Sequence, residues 1–180
     1  MNAPFRLATD MDVSSYTDLL RRTYQKSYVS KELGLTKECF SKEIFSTPDT
    51  QKYLLSNLQI TDNQKSWMAF IDEKLIGSIT IQRKGKECEL RGFYVASEYQ
   101  GQGIGKKLFK LAMDFSKDDD IILGIYAHNT RSIETYKKWG FVIDQERGTV
   151  TTHWPEWPEG IKINSLFMRR SSKHDPSPRY

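Results

Sequence analysis

The sequence predicts one domain of mixed α and β structure, α/β or α+β with mixed strands. Two observations carry that reading. Apolar residues keep helical spacing through roughly the first 60 positions, and from about residue 65 the period changes to short strand-like runs separated by two more amphipathic stretches. At 180 residues the chain fits a single domain of ordinary size. A domain of that length buries about 70% of its unfolded surface without needing a disulfide or metal.

The elements follow in order. Residues 5–8 read as a short strand, and Thr9-Asp10 offers a cap. Val13, Tyr16, Leu19, Leu20, Tyr24 and Tyr28 then recur at helical spacings until Leu33-Gly34-Leu35 breaks the pattern. A second helical stretch from about Thr36 carries Cys39, Phe40, Ile44 and Phe45, and Thr47-Pro48-Asp49 starts another toward Leu58. Residues 66–71 and 75–82, joined by Asp72-Glu73-Lys74, have a hairpin signature, and residues 87–96 alternate as a third strand ending in Phe93-Tyr94-Val95. Ile104, Leu108, Leu111, Ala112 and Phe115 form one helical stripe. Asp118-Asp119-Asp120 interrupts before the continuous apolar run 121–126, the mark of a buried strand. Asn129 can cap a helix through Trp139, with Gly140 as its terminator. Residues 141–143, 149–153 and 161–168 close the domain, taken as 1–170, and residues 171–180 read as a tail.

Composition excludes several classes. No apolar run approaches the roughly 18–20 residues of a membrane helix, and Met1-Asn2-Ala3-Pro4-Phe5-Arg6 is no secretory signal. Cys39 and Cys88 lack the paired spacing of a disulfide framework or zinc site, and no cluster has metal-ligand spacing. A soluble, cytoplasmic protein is expected. The net charge of +4, without a run of basic residues or interleaved aromatics, argues against nucleic acid as partner. It leaves a small anionic ligand open.

The chemistry-bearing segment is Gln100-Gly101-Gln102-Gly103-Ile104-Gly105-Lys106-Lys107, between a strand and an amphipathic helix. Closely spaced glycines admit a ligand to the backbone, and a helix N-terminus presents free N–H groups to an anion. Two lysines in the first turn oppose the helix dipole unless a polyanion sits there. The dinucleotide fingerprint fails at Lys106, and the P-loop fails at Gln100 and Lys107. A ligand-free glycine turn is the plain alternative.

Gln100-x-x-Gly103-x-Gly105 resembles the signature of the GNAT superfamily of N-acetyltransferases. Asn129-Thr130-Arg131-Ser132-Ile133-Glu134-Thr135-Tyr136-Lys137-Lys138-Trp139-Gly140-Phe141 resembles that family's second motif. The likeness spans about residues 65–167, and the helical layout before it is most similar to the PaiA-type, polyamine-acetylating branch. It implies a GNAT fold: a mixed, mostly antiparallel sheet of six to seven strands with about four helices, splayed in the middle for CoA. It implies an enzyme of the acyltransferase class, with acetyl-CoA as co-substrate and no metal.

Carried onto this chain, the resemblance assigns cofactor contacts to Phe93, Tyr94, Val95, Gln100, Gly101, Gln102, Gly103, Ile104, Gly105, Lys106, Asn129, Tyr136 and Lys138, with Lys107 and Lys137 as further phosphate candidates. The Val95 N–H would stabilise the oxyanion and Tyr136 would protonate the leaving thiolate. On sequence alone capping is the stronger reading for Asn129, and Tyr136, three residues after Ile133, could be ordinary core.

An amine must lose a proton before it attacks. Glu89, then Glu87, are the candidate bases, because they share parity with Arg91, Phe93 and Val95 on an ideal strand. A bulge at Gly92 would reset that facing, and Arg91 stands where PaiA-type relatives tend to carry an acid. Tyr24, Tyr28 and Trp154 are candidate walls of the acceptor pocket, with His153 and Trp157 nearby. The Trp-rich loop could instead be a satellite core or a dimer surface. A small-molecule amine, polyamine or other, is the expected acceptor, for a monomer or homodimer that touches neither nucleic acid nor membrane. The alternatives are a protein amine as acceptor, or a non-catalytic acyl-CoA sensor.

Overall fold

A computed structural model describes residues 4–172. Its elements are β1 (Phe5–Leu7), α1 (Val13–Ser27), α2 (Lys42–Phe45), α3 (Pro48–Leu58), β2 (Gln64–Ile71), β3 (Lys74–Lys84), β4 (Glu87–Val95), α4 (Ile104–Ser116), β5 (Asp120–Tyr126), α5 (Thr130–Lys138), β6 (Val142–Ile143), β7 (Thr149–Thr152) and β8 (Ile163–Arg170). The sheet runs β1-β2-β3-β4-β5-β8, with β6 and β7 both paired to β8. All pairs are antiparallel except β4–β5.

The sheet is thus the expected mixed, mostly antiparallel one, with eight strands and with five α-helices in place of four. The stretch from Thr36 divides into a 3-10 turn at Glu38–Phe40 and the single-turn α2, because Ser41 is extended and caps the second piece. Asp72 and Glu73, both at positive φ, make the two-residue β2–β3 turn, so Lys74 belongs to the strand. Ser172, in the predicted tail, donates its N–H to Asp120 Oδ1 at 2.9 Å, and residues 173–180 lie outside the described residues. Within these no helix is long and apolar enough to cross a membrane.

Each face of the sheet carries its own apolar layer. On one, α4 and α5 bury Leu108, Ala112 and Ile133 against Ile79, Ile81, Leu123 and Met168. On the other, α1–α3 bury Tyr16, Leu19, Leu20, Phe45, Leu54 and Leu58 with Met68. Burying apolar surface at about 25 cal/mol per Å² makes these two layers the main source of cohesion.

Two irregularities in β4 position everything that follows. First, β4 and β5 pair only over Glu87↔Asp120, Cys88↔Ile121 and Glu89↔Ile122, then part. Second, the β3–β4 register slips: Thr80 pairs with Gly92 but Ile81 pairs with Leu90, leaving Arg91 as the extra residue of a bulge. Gly92 is required there, since a Cβ would lie 2.9 Å from the Tyr94 ring and 3.3 Å from the Tyr16 hydroxyl.

Candidate active site

The bulge decides which side chains look which way. Beyond it, Phe93 and Val95 lie opposite Ile79 and Gly77 and pack with the α4 layer. Before it, Glu89 lies opposite Gln82, beside Gln64, and belongs to the α1–α3 face. The shared face expected for Glu87, Glu89, Phe93 and Val95 therefore does not exist. Both acids are also engaged in ion pairs: Glu89 with Lys84, and Glu87 with Arg147 and Arg169.

Backbone direction matters as much. Ala96 N–H donates to Ile76 O at 2.8 Å, so by antiparallel alternation Tyr94 and Gly92 also turn their backbone groups toward β3. Phe93 and Val95 turn theirs the other way, into the gap where β5 has already left. The Val95 carbonyl accepts from the Gln100 side chain at 3.0 Å, which pins the loop to the strand end. The Val95 N–H and both Phe93 groups face the gap without a strand partner among the described residues. Tyr94 is excluded from this edge by the same alternation: its side chain lies on the α1 face, 3.2 Å hydroxyl to hydroxyl from Tyr24.

The gap opens into a cleft of about 420 Å³, walled by Phe93, Val95, Gln100, Gly101, Gly105, Asn129, Tyr136 and Trp139. Gly101 and Gly103 hold φ of 78° and 82°, the left-handed region that favours glycine. The chain turns there into α4, and none of the N–H groups of residues 101–105 has a protein acceptor among the described residues. Gly105 brings the start of α4 against the cleft wall, 3.5 Å from Phe93 Cζ to where a Cβ would stand. Ile104 and Gln102 are engaged elsewhere by their side chains, the first in the core, the second donating to Glu98 O at 3.1 Å.

On the far wall, Asn129 Oδ1 accepts the Ser132 N–H at 3.3 Å as the cap of α5. Tyr136 packs edge-on to Phe141, 5.4 Å between centroids, and burial pushes its phenol above the ordinary tyrosine range. Two cations line the cleft, Lys26 from α1 and Arg131 from α5, and sequence reasoning missed both. The only available signal was their spacing on helices whose relative placement is tertiary. Of the predicted lysines, Lys107 turns to the Phe5 ring at 5.8 Å, Lys137 bonds Glu134 at 2.7 Å, and Lys138 is exposed and outside the cleft lining.

Tyr24, Tyr28 and Trp154 do come together. Tyr24 lies 4.7 Å from Tyr28 and 5.9 Å from Trp154, ring to ring, and Trp154 Nε1 donates to the Tyr126 hydroxyl at 3.1 Å. Burial pushes the Tyr28 phenol up to about 12. Trp157 is core, donating to Cys39 O at 3.0 Å, and His153 Nδ1 lies 2.7 Å from Ile161 O. His128, unnoticed in the sequence, stacks on Tyr126 and places Nε2 3.2 Å from the Tyr28 carbonyl oxygen, tying α1 to the β5–α5 turn.

A sheet parted at its one parallel junction, with a glycine turn and helix N-terminus at the parting, defines the N-acetyltransferase class of α/β fold. The sequence profile of the acetyltransferase (GNAT) family matches residues 19–141, and the chain belongs to that family. It is 22% identical over 138 residues to the thialysine N-epsilon-acetyltransferase of Bos taurus, covering 75% of this chain and 81% of the relative. Among solved structures it resembles the PaiA N-acetyltransferase of Thermoplasma acidophilum in complex with coenzyme A, at TM-score 0.67, 22% identity and coverage of 95% and 99% of the two chains. It also resembles the ribosomal-protein-S18-alanine N-acetyltransferase of Escherichia coli, at TM-score 0.68, 15% identity and 99% coverage of each. The expected GNAT fold is the fold observed.

Proposed function

We propose that this enzyme moves the acetyl group of acetyl-CoA to the primary amine of a small molecule by direct attack. The observation that carries the reading is a run of unused backbone groups along one cleft: the Phe93 N–H and carbonyl and the Val95 N–H on the strand side, and the N–H groups of residues 101–105 at the helix start. An amide-bearing arm can pair with the former as an added strand, and a pyrophosphate suits the latter. Lys26 and Arg131 supply further positive charge at the same cleft.

Acetyl-CoA brings an activated thioester; the residues do the rest. The Val95 N–H donates to the carbonyl oxygen as charge develops on it, a role that a fixed donor in a shielded site performs well. The amine nitrogen bonds to the carbonyl carbon, the carbon–sulfur bond breaks, and Tyr136, which burial keeps protonated, gives its proton to the departing sulfur. Among the described residues no carboxylate lines the cleft, so the amine's own proton leaves through water rather than through Glu89. The thialysine enzyme named above, a relative whose acceptor is a small amine, supports a small-molecule acceptor.

Calorimetry with acetyl-CoA and thiol release with an amine panel test the reading. Gly105→Glu, which drives a carboxylate into the cleft wall, should abolish measurable binding while the protein stays folded; unchanged affinity would remove the cofactor site. Binding with no thiol release for any amine would leave a sensor instead of an enzyme. Routing the proton through water also predicts that kcat/KM climbs with pH toward the amine's own pKa near ~10, with no carboxylate inflection. Glu89→Gln should stay within about twofold of the parent, since surface ion pairs of this kind contribute little.

A further inference from the structure

We propose that the cleft reads the charge of its acyl carrier at the pyrophosphate alone, with Lys26 and Arg131 gripping that group from opposite walls. An acetyl carrier lacking the 3′-phosphate then serves this enzyme nearly as well as acetyl-CoA. This rests on the acetyltransferase reading above.

Two helices start at the cleft, α4 after Gly103 and α5 after Asn129, and Gly105, Asn129 and Arg131 stand on its wall. Neither helix carries an acid in its first turn. The other three helices start differently: α1 follows Asp12, and α2 and α3 hold Glu43 and Asp49 in their first turns. The first turn of α5 instead holds Arg131, a placement the helix dipole opposes unless an anion sits there. Lys26 arrives from the last turn of α1 and also lines a small recess with Val95, Ser97 and Gln100. Glu98 shares that recess but is bridged to Arg22 and Lys74 at 3.4 and 3.2 Å. Neither Lys26 nor Arg131 is bridged to a carboxylate among the described residues. Two helix N-termini and two unneutralised cations therefore meet on one cleft. A diphosphate, with a charge on each phosphorus and acceptor oxygens facing both walls, matches them.

Much of the remaining positive charge on α4 and α5 is directed elsewhere. Lys107 stands over the Phe5 ring of the edge strand β1 at 5.8 Å. Lys110 bridges Asp114 at 2.8 Å and Lys137 bridges Glu134 at 2.7 Å, each within its own helix. Lys138 is exposed and off the cleft wall. The pyrophosphate joins the pantetheine arm to the nucleoside, so the 3′-phosphate lies on its far side from the thioester. A phosphate there meets only solvent-screened side chains, and ion pairs of that kind contribute little.

Calorimetry with three acetyl carriers tests it: acetyl-CoA, its 3′-dephospho form, and S-acetylpantetheine, which has no phosphate and is titrated at millimolar concentration. The first two should bind within about threefold of each other, and the third about 100-fold or more weaker. Lys26→Gln and Arg131→Gln should each weaken both phosphate-bearing carriers about five- to tenfold. S-acetylpantetheine should bind these variants as it binds the parent, which a merely structural loss would not allow. Arg131→Lys should recover part of the affinity. A larger preference for acetyl-CoA over its dephospho form overturns the assignment. So does S-acetylpantetheine that binds as tightly as acetyl-CoA, or variants that weaken all three carriers alike. In those cases acetyl transfer from acetyl-CoA to any amine leaves the acetyltransferase reading standing. If the carriers bind as expected but release no thiol with any amine, the grip stands and that reading falls; if none binds, both fall.

Discussion

At the scale of single residues, the cleft separates groups that act from groups that hold. Tyr136 touches the site directly, and Tyr136→Phe should lower kcat about 10²-fold or more, the usual weight of a positioned acid, while acetyl-CoA affinity by calorimetry stays near the parent value. Asn129 holds two candidate roles that one substitution series can divide. Asn129→Ala should cost about 1 kcal/mol in denaturant unfolding through loss of the α5 cap, and Asn129→Asp should restore stability. If the side-chain amide also donates to the cofactor, the Asp variant recovers stability without recovering affinity. Glu89 belongs with the holding groups, since its partner is Lys84.

At the scale of elements, the entry into α1 rests on one carboxylate. Asp12 accepts from Thr9 N–H at 2.8 Å and from both terminal nitrogens of Arg6 at 2.7 and 2.6 Å. The Arg6 hydrogen bonds hold its pKa below the ordinary aspartate range. A lowered folded-state pKa stabilises above the unfolded value and loses that stability as pH falls through the folded one. Asp12→Asn should therefore cost about 1–3 kcal/mol at pH 7, and the difference from the parent should shrink steadily as urea titrations move below pH 4. Most element positions were legible because amphipathic spacing sets them: α1, α4, α5 and β2–β5 begin and end within a few residues of where the pattern put them. The facing of Glu89 was not legible. A bulge shifts parity by one residue, and Gly92 marks that such a shift is possible without saying on which side of it a given acid falls. The cleft cations Lys26 and Arg131 were hidden for another reason, since they meet only when α1 and α5 are docked on opposite sides of the gap.

At the scale of the whole molecule, two halves share one sheet through a narrow junction. β1–β4 with α1–α4 lie on one side of it and β5–β8 with α5 on the other; among the described residues the β4–β5 ladder has three pairs, and both apolar layers continue across it. A ligand seated in the cleft contacts both halves, so it should stabilise the molecule as a unit. At a concentration of 100 times its Kd, acetyl-CoA should contribute about 2.7 kcal/mol, raising Tm by about 5–10 °C for a chain of this size. Differential scanning calorimetry with and without acetyl-CoA checks this, and Gly105→Glu should show no rise.

That narrow junction inverts a familiar property of sheets. Amide protons ordinarily exchange first at outer strands and last in the middle. Here the centre of the sheet carries its own solvent-facing edge, because the Phe93 and Val95 amides have no strand across from them while those of Gly92 and Tyr94 are bonded to β3. Deuterium should enter β4 at alternate residues from within the sheet, ahead of its entry into β2 and β3, and a bound acyl-CoA should close that inner door first.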